Sequence, residues 1–217
     1  MLVFVLGGVS QRHALACKFI RYSGYQEIAP NTFASASFNN KQNKILLSII
    51  NSGKSRVNIT FGNMVSSPRV IIAATEDEAS EFGSNAYGNA LISPLGQCIV
   101  FGPKGQNVDV IAHEYTHAEV HFRVGWLNHY LNIPIWFNEG ISLLVDFREP
   151  YLIDNIELTK EEINSVKNKG EEFFSDKHVL KNYQAARVIV DSIDKSQLYD
   201  NLEKIKQGQD IKSVFAL

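Results

Sequence analysis

Cysteine is scarce in this chain, and neither acidic nor basic residues are in large excess. Only two cysteines, Cys17 and Cys98, occur among the 217 residues, which excludes a disulfide-rich scaffold and allows one intramolecular disulfide at most. Their spacing matches neither a redox motif nor a zinc knuckle, so we expect two buried structural thiols. The net charge at pH 7 is only −2. Because the sequence has no basic cluster for phosphates or anionic lipid, nucleic acid is not expected as a partner.

Long apolar runs are missing as well. The segment Met1–Val9 is apolar but far shorter than the roughly 20 residues that span a bilayer, and it lacks the basic start of a signal peptide. The tetrapeptide at 14–17 resembles a lipoprotein cleavage site only faintly, because the polar residues 10–13 interrupt the apolar stretch before it. A cytoplasmic protein is slightly favoured over an exported one, and membrane tethering through the N-terminal segment stays open.

What the chain does contain is typical of a globular protein. Its composition is 45% hydrophobic, 11% aromatic and 20% charged, which excludes a disordered chain and supports a substantial core. Residues 1–40 form an N-terminal segment of uncertain role, and residues 41–217 are expected to form one domain.

The hydrophobic pattern predicts an α+β fold with a helical C-terminal half. Strands are predicted at 32–38, 68–74, 90–93 and 97–101. Helices are predicted at 41–61 with a break near Ser52 and Gly53, and at 108–124, 133–145, 179–193 and 196–205. Thr75 should cap a short acidic helix, and Thr159 with Glu162 should form a capping box.

The pentapeptide HEYTH at 113–117 is the most informative motif. On a helix, His113 and His117 lie one turn apart on one face, with about 6 Å between their Cβ atoms, so both imidazoles can reach one ion. Glu114 lies beside that face, where it can address a water on the metal without being a ligand. The alternative is an amphipathic helix with two histidines satisfied in the core.

A zinc site that keeps a position for water needs a third protein ligand. His121 is unsuitable, because it lies about 12 Å along the helix axis from His113 while ligand bonds are only about 2 Å long. Glu139 is the better candidate. Its carboxylate falls within an otherwise apolar helix, where a buried charge requires a cationic partner and a metal ion would provide one.

These residues resemble those of the gluzincin metallopeptidases. The motif at 113–117, followed by the box WFNEG at 136–140 with 21 residues between His117 and Glu139, is similar to the peptidase MA-like group and more distantly to the aminopeptidase N-type enzymes. The resemblance implies a zincin-like fold, one Zn²⁺ held by His113, His117 and Glu139, and Glu114 as the general base. The spacer is longer than in the aminopeptidases, and we expect residues 126–131 to loop out.

Two further expectations follow from the resemblance, and those for Asp146, Glu119, His121 and Arg123 follow from the residues themselves. Tyr183 occupies the position of a tyrosine that donates to the oxyanion, although a core tyrosine with its hydroxyl at the surface is an equal alternative. The last strand before the motif helix, 97–101, should border the cleft and pair with substrate backbone. Asp146 could orient a ligand, but a surface carboxylate is the more frequent explanation. Glu119, His121 and Arg123 are expected to be solvent-facing or structural.

The sequence therefore predicts a zinc-dependent metallopeptidase that hydrolyses peptide bonds in a peptide or protein substrate. The alternative, from a different functional class, is a catalytically inactive zincin-fold binding domain, with or without a membrane tether. The box that aminopeptidases use to hold a free amino terminus has no match at 101–105, which favours internal cleavage over trimming of chain ends.

Overall fold

The computed structural model describes residues 12–216, so the apolar segment Met1–Val9 lies outside the described residues. The fold is α+β, as the hydrophobic pattern predicts. Two compact units make up the chain, one comprising Met1–Ser55 with Val65–Ala118 and the other Arg56–Met64 with Glu119–Leu217. No helix within the described range has the length and apolar character that crossing a membrane requires.

A five-stranded mixed sheet forms the centre of the first unit. Its strands are β1 (Gln26–Ala29), β2 (Thr32–Ala34), β3 (Arg69–Ile72), β4 (Gly88–Ser93) and β5 (Gly96–Phe101). The order across the sheet is β1-β2-β3-β5-β4, with β2, β3 and β5 parallel and the two outer strands antiparallel to their neighbours. The segment 1–40, to which the sequence assigns no role, thus contributes β1 and β2. The last strand, β5, is interior, so the expectation that it borders a cleft is wrong; β4 is the edge strand on that side.

The helices are numbered in their order along the chain. They are α1 (residues 12–18), α2 (Asn40–Phe61), α3 (Glu76–Glu81), α4 (Val108–Val124), α5 (Trp126–Asn132), α6 (Ile135–Leu143), α7 (Lys160–Ser165), α8 (Glu172–Ser175), α9 (Val179–Val190), α10 (Leu198–Lys206) and α11 (Ile211–Phe215). Thr75 caps α3, and the capping box of Thr159 and Glu162 opens α7, so both predicted starts are confirmed.

The predicted break of α2 near Ser52 and Gly53 is wrong, because α2 is one unbroken helix. A Cβ atom at Gly53 would lie 3.0 Å from Cβ of Ile111 and 3.2 Å from the backbone nitrogen of Ala112. The glycine therefore allows α4 to pack closely on α2. That tight packing offsets the free-energy cost of glycine within a helix, which is about 1 kcal/mol relative to alanine.

The expectation of two free thiols is also wrong. Cys17 of α1 and Cys98 of β5 form a disulfide, with 6.4 Å between their Cα atoms. The bond is buried in an apolar cluster with Phe33, Ile71 and Phe82. It fixes α1 to the sheet, and a lipid attached to Cys17 is incompatible with it.

The second unit is helical. Its core includes Phe137, Leu143, Phe173 and Leu198, each of which is fully buried. Helix α6 packs against α9, and Gly140 is the reason they approach so closely, because a Cβ atom there would lie 2.6 Å from the carbonyl oxygen of Ala186 and 2.9 Å from Cγ1 of Val190.

Candidate metal centre

The helix that carries the motif has the bounds that the sequence predicts. The side chain of Asn107 accepts a hydrogen bond of 3.0 Å from the backbone N–H of Val110, which caps the start of α4. Gly125, with φ of +80°, follows the last residue of the helix. Between these ends the helical repeat of 3.6 residues directs His113 and His117 to the same side.

The two histidines are close together and nearly excluded from water. Their Nε2 atoms lie 3.0 Å apart, their ring planes are almost perpendicular, and each residue is 6% exposed. Two nitrogens bound to one zinc ion at about 2.0–2.1 Å and at the tetrahedral angle lie about 3.3 Å apart. The observed separation is close to that value.

Glu139 of α6 completes a group of three. The sequence predicts Pro134 within the first turn of this helix, but in the structure Pro134 is the extended residue before it and the helix begins at Ile135. Glu139 is 7% exposed. His113, His117 and Glu139 each offer one ligand atom, and these atoms all lie within 4.8 Å of one another. The group could therefore hold a metal ion, and several late first-row metals accept such ligands.

Glu114 follows the first histidine and is itself buried, at 7% exposure. Its carboxylate lies against β4, the edge strand. A Cβ atom at Gly88 would lie 3.2 Å from Cγ and 3.2 Å from Oε1 of Glu114, so this position of the strand leaves no room for a larger side chain without a shift. Sequence analysis missed Gly88. A glycine inside a strand often marks a close approach of another group, and that signal could have drawn attention to it.

Tyr183 lies on α9, the helix that Gly140 brings against α6. Its ring is half-buried in an aromatic cluster with Tyr151, Phe173 and Phe174, at centroid distances of 6.0, 5.1 and 6.4 Å. These contacts fix the ring of Tyr183 within the second unit. The role of its hydroxyl stays a prediction.

Asp146 is buried at 1% exposure, so the interpretation of this residue as a surface carboxylate is wrong. The guanidinium of Arg148 forms an ion pair with it, and the backbone N–H of Arg148 donates to Oδ1 at 3.1 Å. Arg148, which the sequence analysis did not single out, neutralises a charge that would otherwise be costly to bury.

Glu119 and Arg123 form a buried ion pair with an N–O distance of 2.7 Å. The Arg123 guanidinium also lies 3.7 Å from the ring centroid of Tyr199 and donates to the carbonyl oxygen of Asn63 at 3.0 Å. Burial, and secondarily the charge of Glu119, raises the pKa of Tyr199. These contacts show a structural role for both members of the pair.

His121 is buried beside His129, with 5.3 Å between the ring centroids. Burial, and secondarily the charge of His129, lowers the pKa of His121 to about 4. Its imidazole is therefore neutral at pH 7. In agreement with the geometric argument from the sequence, His121 is not in the His113, His117 and Glu139 group.

No family model, curated protein or solved structure matches this chain.

Proposed function

We propose that this protein is a zinc-dependent metallopeptidase of the gluzincin type with a zincin-like fold. The observation that supports this most strongly is the buried group of His113, His117 and Glu139, whose ligand atoms lie within 4.8 Å of one another, with Glu114 directly after the first histidine. Two imidazoles on successive turns of one helix and a carboxylate from another helix form the donor set of many zinc hydrolases.

The donor chemistry fits zinc better than it fits calcium or magnesium. Imidazole nitrogens suit Zn²⁺ and other late first-row metals, whereas Ca²⁺ and Mg²⁺ prefer sites made of oxygen ligands. Three protein ligands also leave one tetrahedral position for water or substrate, as catalytic zinc sites do and structural sites do not.

In this proposal a bound zinc ion supplies Lewis-acid polarisation of the substrate carbonyl and lowers the pKa of water. The residues of the chain carry out the proton transfers. Oε1 or Oε2 of Glu114 takes a proton from the attacking water and then delivers it to the nitrogen of the leaving amine. The Tyr183 hydroxyl donates a hydrogen bond to the carbonyl oxygen as negative charge develops there.

Strand β4 is the element that we propose for binding the substrate backbone. Among residues 12–216 it lies at one edge of the sheet and pairs with β5, and an edge strand of this kind can accept an added strand. Gly88 at the start of β4 adjoins Glu114, so a peptide paired with this edge would run past the carboxylate that handles the proton.

The test combines metal analysis with an assay of hydrolysis on the purified full chain. We expect about one zinc ion per chain and cleavage within a library of internally quenched fluorogenic peptides. Glu114→Gln should keep the zinc and lose hydrolysis by a factor of about 100 or more, because the amide cannot accept the proton. Glu157→Gln, which makes the same change at an exposed position, should retain both.

Each other outcome has a defined meaning. A chain that binds no zinc, or a Glu114→Gln variant as active as the wild type, overturns the proposal. Stoichiometric zinc without cleavage of any library member by the wild type would instead favour the inactive zincin-fold binding domain.

A further inference from the structure

Helix α5, Trp126–Asn132, presents its apolar side chains to solvent, whereas Asn128 and His129 are half-buried. Trp126, Leu127, Tyr130 and Leu131 are 45%, 57%, 78% and 64% exposed. Trp126 and Tyr130, like Leu127 and Leu131, are four positions apart. Leu127 and Tyr130 are three apart, so neighbouring pairs join the four side chains into one continuous surface. We call them the α5 face.

The polar residues of α5 are engaged in the fold. Nδ2 of Asn128 donates to the carbonyl oxygens of Val124, at 3.2 Å, and Lys206, at 3.3 Å, and the Asn132 amide donates to Oδ1 of Asn128 at 3.1 Å. The ring of His129 lies beside that of His121. Because Asn128 and His129 make these contacts with the rest of the fold, α5 cannot rotate its apolar side inward without breaking them.

The α5 face is large enough to matter energetically. The exposed fractions of its two aromatic and two leucine side chains correspond to roughly 500 Å² of apolar surface, within the range of the largest patches on monomeric proteins, which are often functional. Two copies of such a face would bury roughly 1,000 Å² in total, about the area that a specific interface requires.

Charge indicates which partner fits this face. Residues 124–138 contain no Asp, Glu, Lys or Arg, so α5 itself brings no like charges together when two copies meet about a two-fold axis. Helices that bind anionic bilayers carry lysine and arginine on their polar face, and α5 carries neither. The nearby Lys206 is paired with Glu203, with an N–O distance of 3.6 Å. A second copy of the chain therefore suits the α5 face better than a lipid surface.

A hollow of about 340 Å³ adjoins the end of the α5 face. Its lining residues are Leu131, Asn132, Gly208, Gln209, Asp210 and Ile211. Because Leu131 belongs to both features, each chain carries a protruding aromatic surface next to a recess. In a two-fold interface a projecting side chain of one copy can enter the recess of the other, and buried tryptophan and tyrosine commonly provide most of the binding energy at such contacts.

From the exposed apolar face, its lack of charge and the adjoining hollow, we propose that this protein forms a homodimer through α5. Trp126 and Tyr130 are the side chains that anchor it. The inference is independent of the proposed catalytic activity, because it depends on neither the metal group nor Glu114.

The experiment measures the molar mass of the metal-free full chain by sedimentation equilibrium between about 1 and 100 µM. The wild type should show twice the mass of one chain at the upper end of this range. Tyr130→Asp and Leu127→Asp each place a charge in the α5 face and should raise the dimer Kd by about 30-fold or more. Ile59→Asp is the matched control, since Ile59 is an 83% exposed apolar residue of another helix, α2, and it should stay dimeric.

Circular dichroism verifies that the variants are folded, which is expected because the altered side chains are largely exposed. A wild type that remains monomeric at 100 µM overturns the proposal. So does a dimer that neither aspartate variant weakens. A monomeric wild type that sediments with phosphatidylglycerol vesicles, and loses this binding in Tyr130→Asp, would assign the α5 face to a bilayer and would also overturn the homodimer.

Discussion

Nε2 of His113 and Nε2 of His117 lie 3.0 Å apart inside the protein. At this distance one ring can donate a hydrogen bond to the other, and the two nitrogens can also bind one shared cation. The separation is therefore compatible with the proposed metal site, which metal binding can test.

Zinc should stabilise the wild type and should do so far less in His113→Ala. A ligand that binds only the folded state contributes about 2.7 kcal/mol when its free concentration is 100 times its Kd. Removal of one of three ligands should weaken binding by about 100-fold or more. Thermal unfolding at matched free zinc concentrations, set with a chelator buffer, measures both effects. His178→Ala, at an exposed histidine, should behave as the wild type does; equal stabilisation of the two variants would contradict the ligand assignment.

Gly88→Ala should reduce turnover without removing the metal. The added Cβ atom would lie 3.2 Å from Oε1 of Glu114, so the carboxylate must shift by a few tenths of an ångström, and proton transfer is sensitive to such displacement. We expect kcat to fall by about 10-fold or more with zinc content unchanged, measured on whichever library peptide the wild type cleaves. Gly24→Ala meets no atom within 4 Å and serves as the control. An unaltered kcat and pH profile would show that β4 does not constrain Glu114.

Gly140→Ala should destabilise the protein. The new Cβ atom would lie 2.6 Å from the Ala186 carbonyl oxygen, and because backbone cannot rotate away as a flexible side chain can, α6 and α9 must separate. Overpacking of this kind costs about 1–3 kcal/mol. Urea unfolding measures the loss. At Gly170 the added Cβ atom has only a 3.4 Å contact with Glu172, so Gly170→Ala should be nearly neutral. A Gly140→Ala variant as stable as the wild type would argue against close packing of these helices.

Reduction should lower the stability of the wild type. The disulfide joins residues separated by 81 positions, and a cross-link over so long a loop stabilises the folded state by about 2–4 kcal/mol, chiefly by constraining the unfolded chain. Denaturant unfolding with and without tris(2-carboxyethyl)phosphine provides the measurement. The double variant Cys17→Ser with Cys98→Ser should be insensitive to the reductant. Two thiols titrated in the unreduced, denatured wild type would contradict the bond.

His121 should make the metal-free protein less stable in mild acid. Its folded-state pKa of about 4 is below the value of about 6.5 in the unfolded chain, so between these pH values the unfolded state binds a proton that the folded state does not. This stability is therefore complete above pH 6.5 and is lost as the pH falls towards 4. Allowing for partial solvent screening, we expect a loss of roughly 1–2 kcal/mol. Urea unfolding at several pH values in this interval measures the effect. The free energy of unfolding should change less with pH in His121→Phe than in the exposed-site control His178→Phe.

Local sequence signals predicted much of the secondary structure. The bounds of α4 and the capping box at Thr159 follow from rules that involve neighbouring residues only, and the structure confirms both. The sequence also favoured Glu139 over His121 as the third member of the metal group, because helix geometry alone excludes His121 from one ion shared with His113.

Other features depend on contacts between segments that are distant in the chain. From its neighbours alone Gly53 predicts a helix break. In the folded protein α2 continues through Gly53, and the side chain of Ile111 packs against it. The polar and apolar residues at 126–131 suggested a loop, whereas they form α5, a helix with its apolar face outward. In the sheet β4 is the edge strand and β5 is an interior strand. No local sequence pattern distinguishes the two positions.

The sequence by itself thus determined the candidate chemistry, since residue type and helical spacing within 108–124 suffice to bring two imidazoles and a carboxylate to one region of one helix. Only the tertiary structure showed that the Glu139 ligand atom lies within 4.8 Å of those of His113 and His117, that Cys17 is bonded to Cys98, and that Gly88 adjoins Glu114. The physical reason is range: hydrogen bonds along a helix connect residues four positions apart, whereas packing of sheet, helices and disulfide connects residues that the sequence separates by tens of positions.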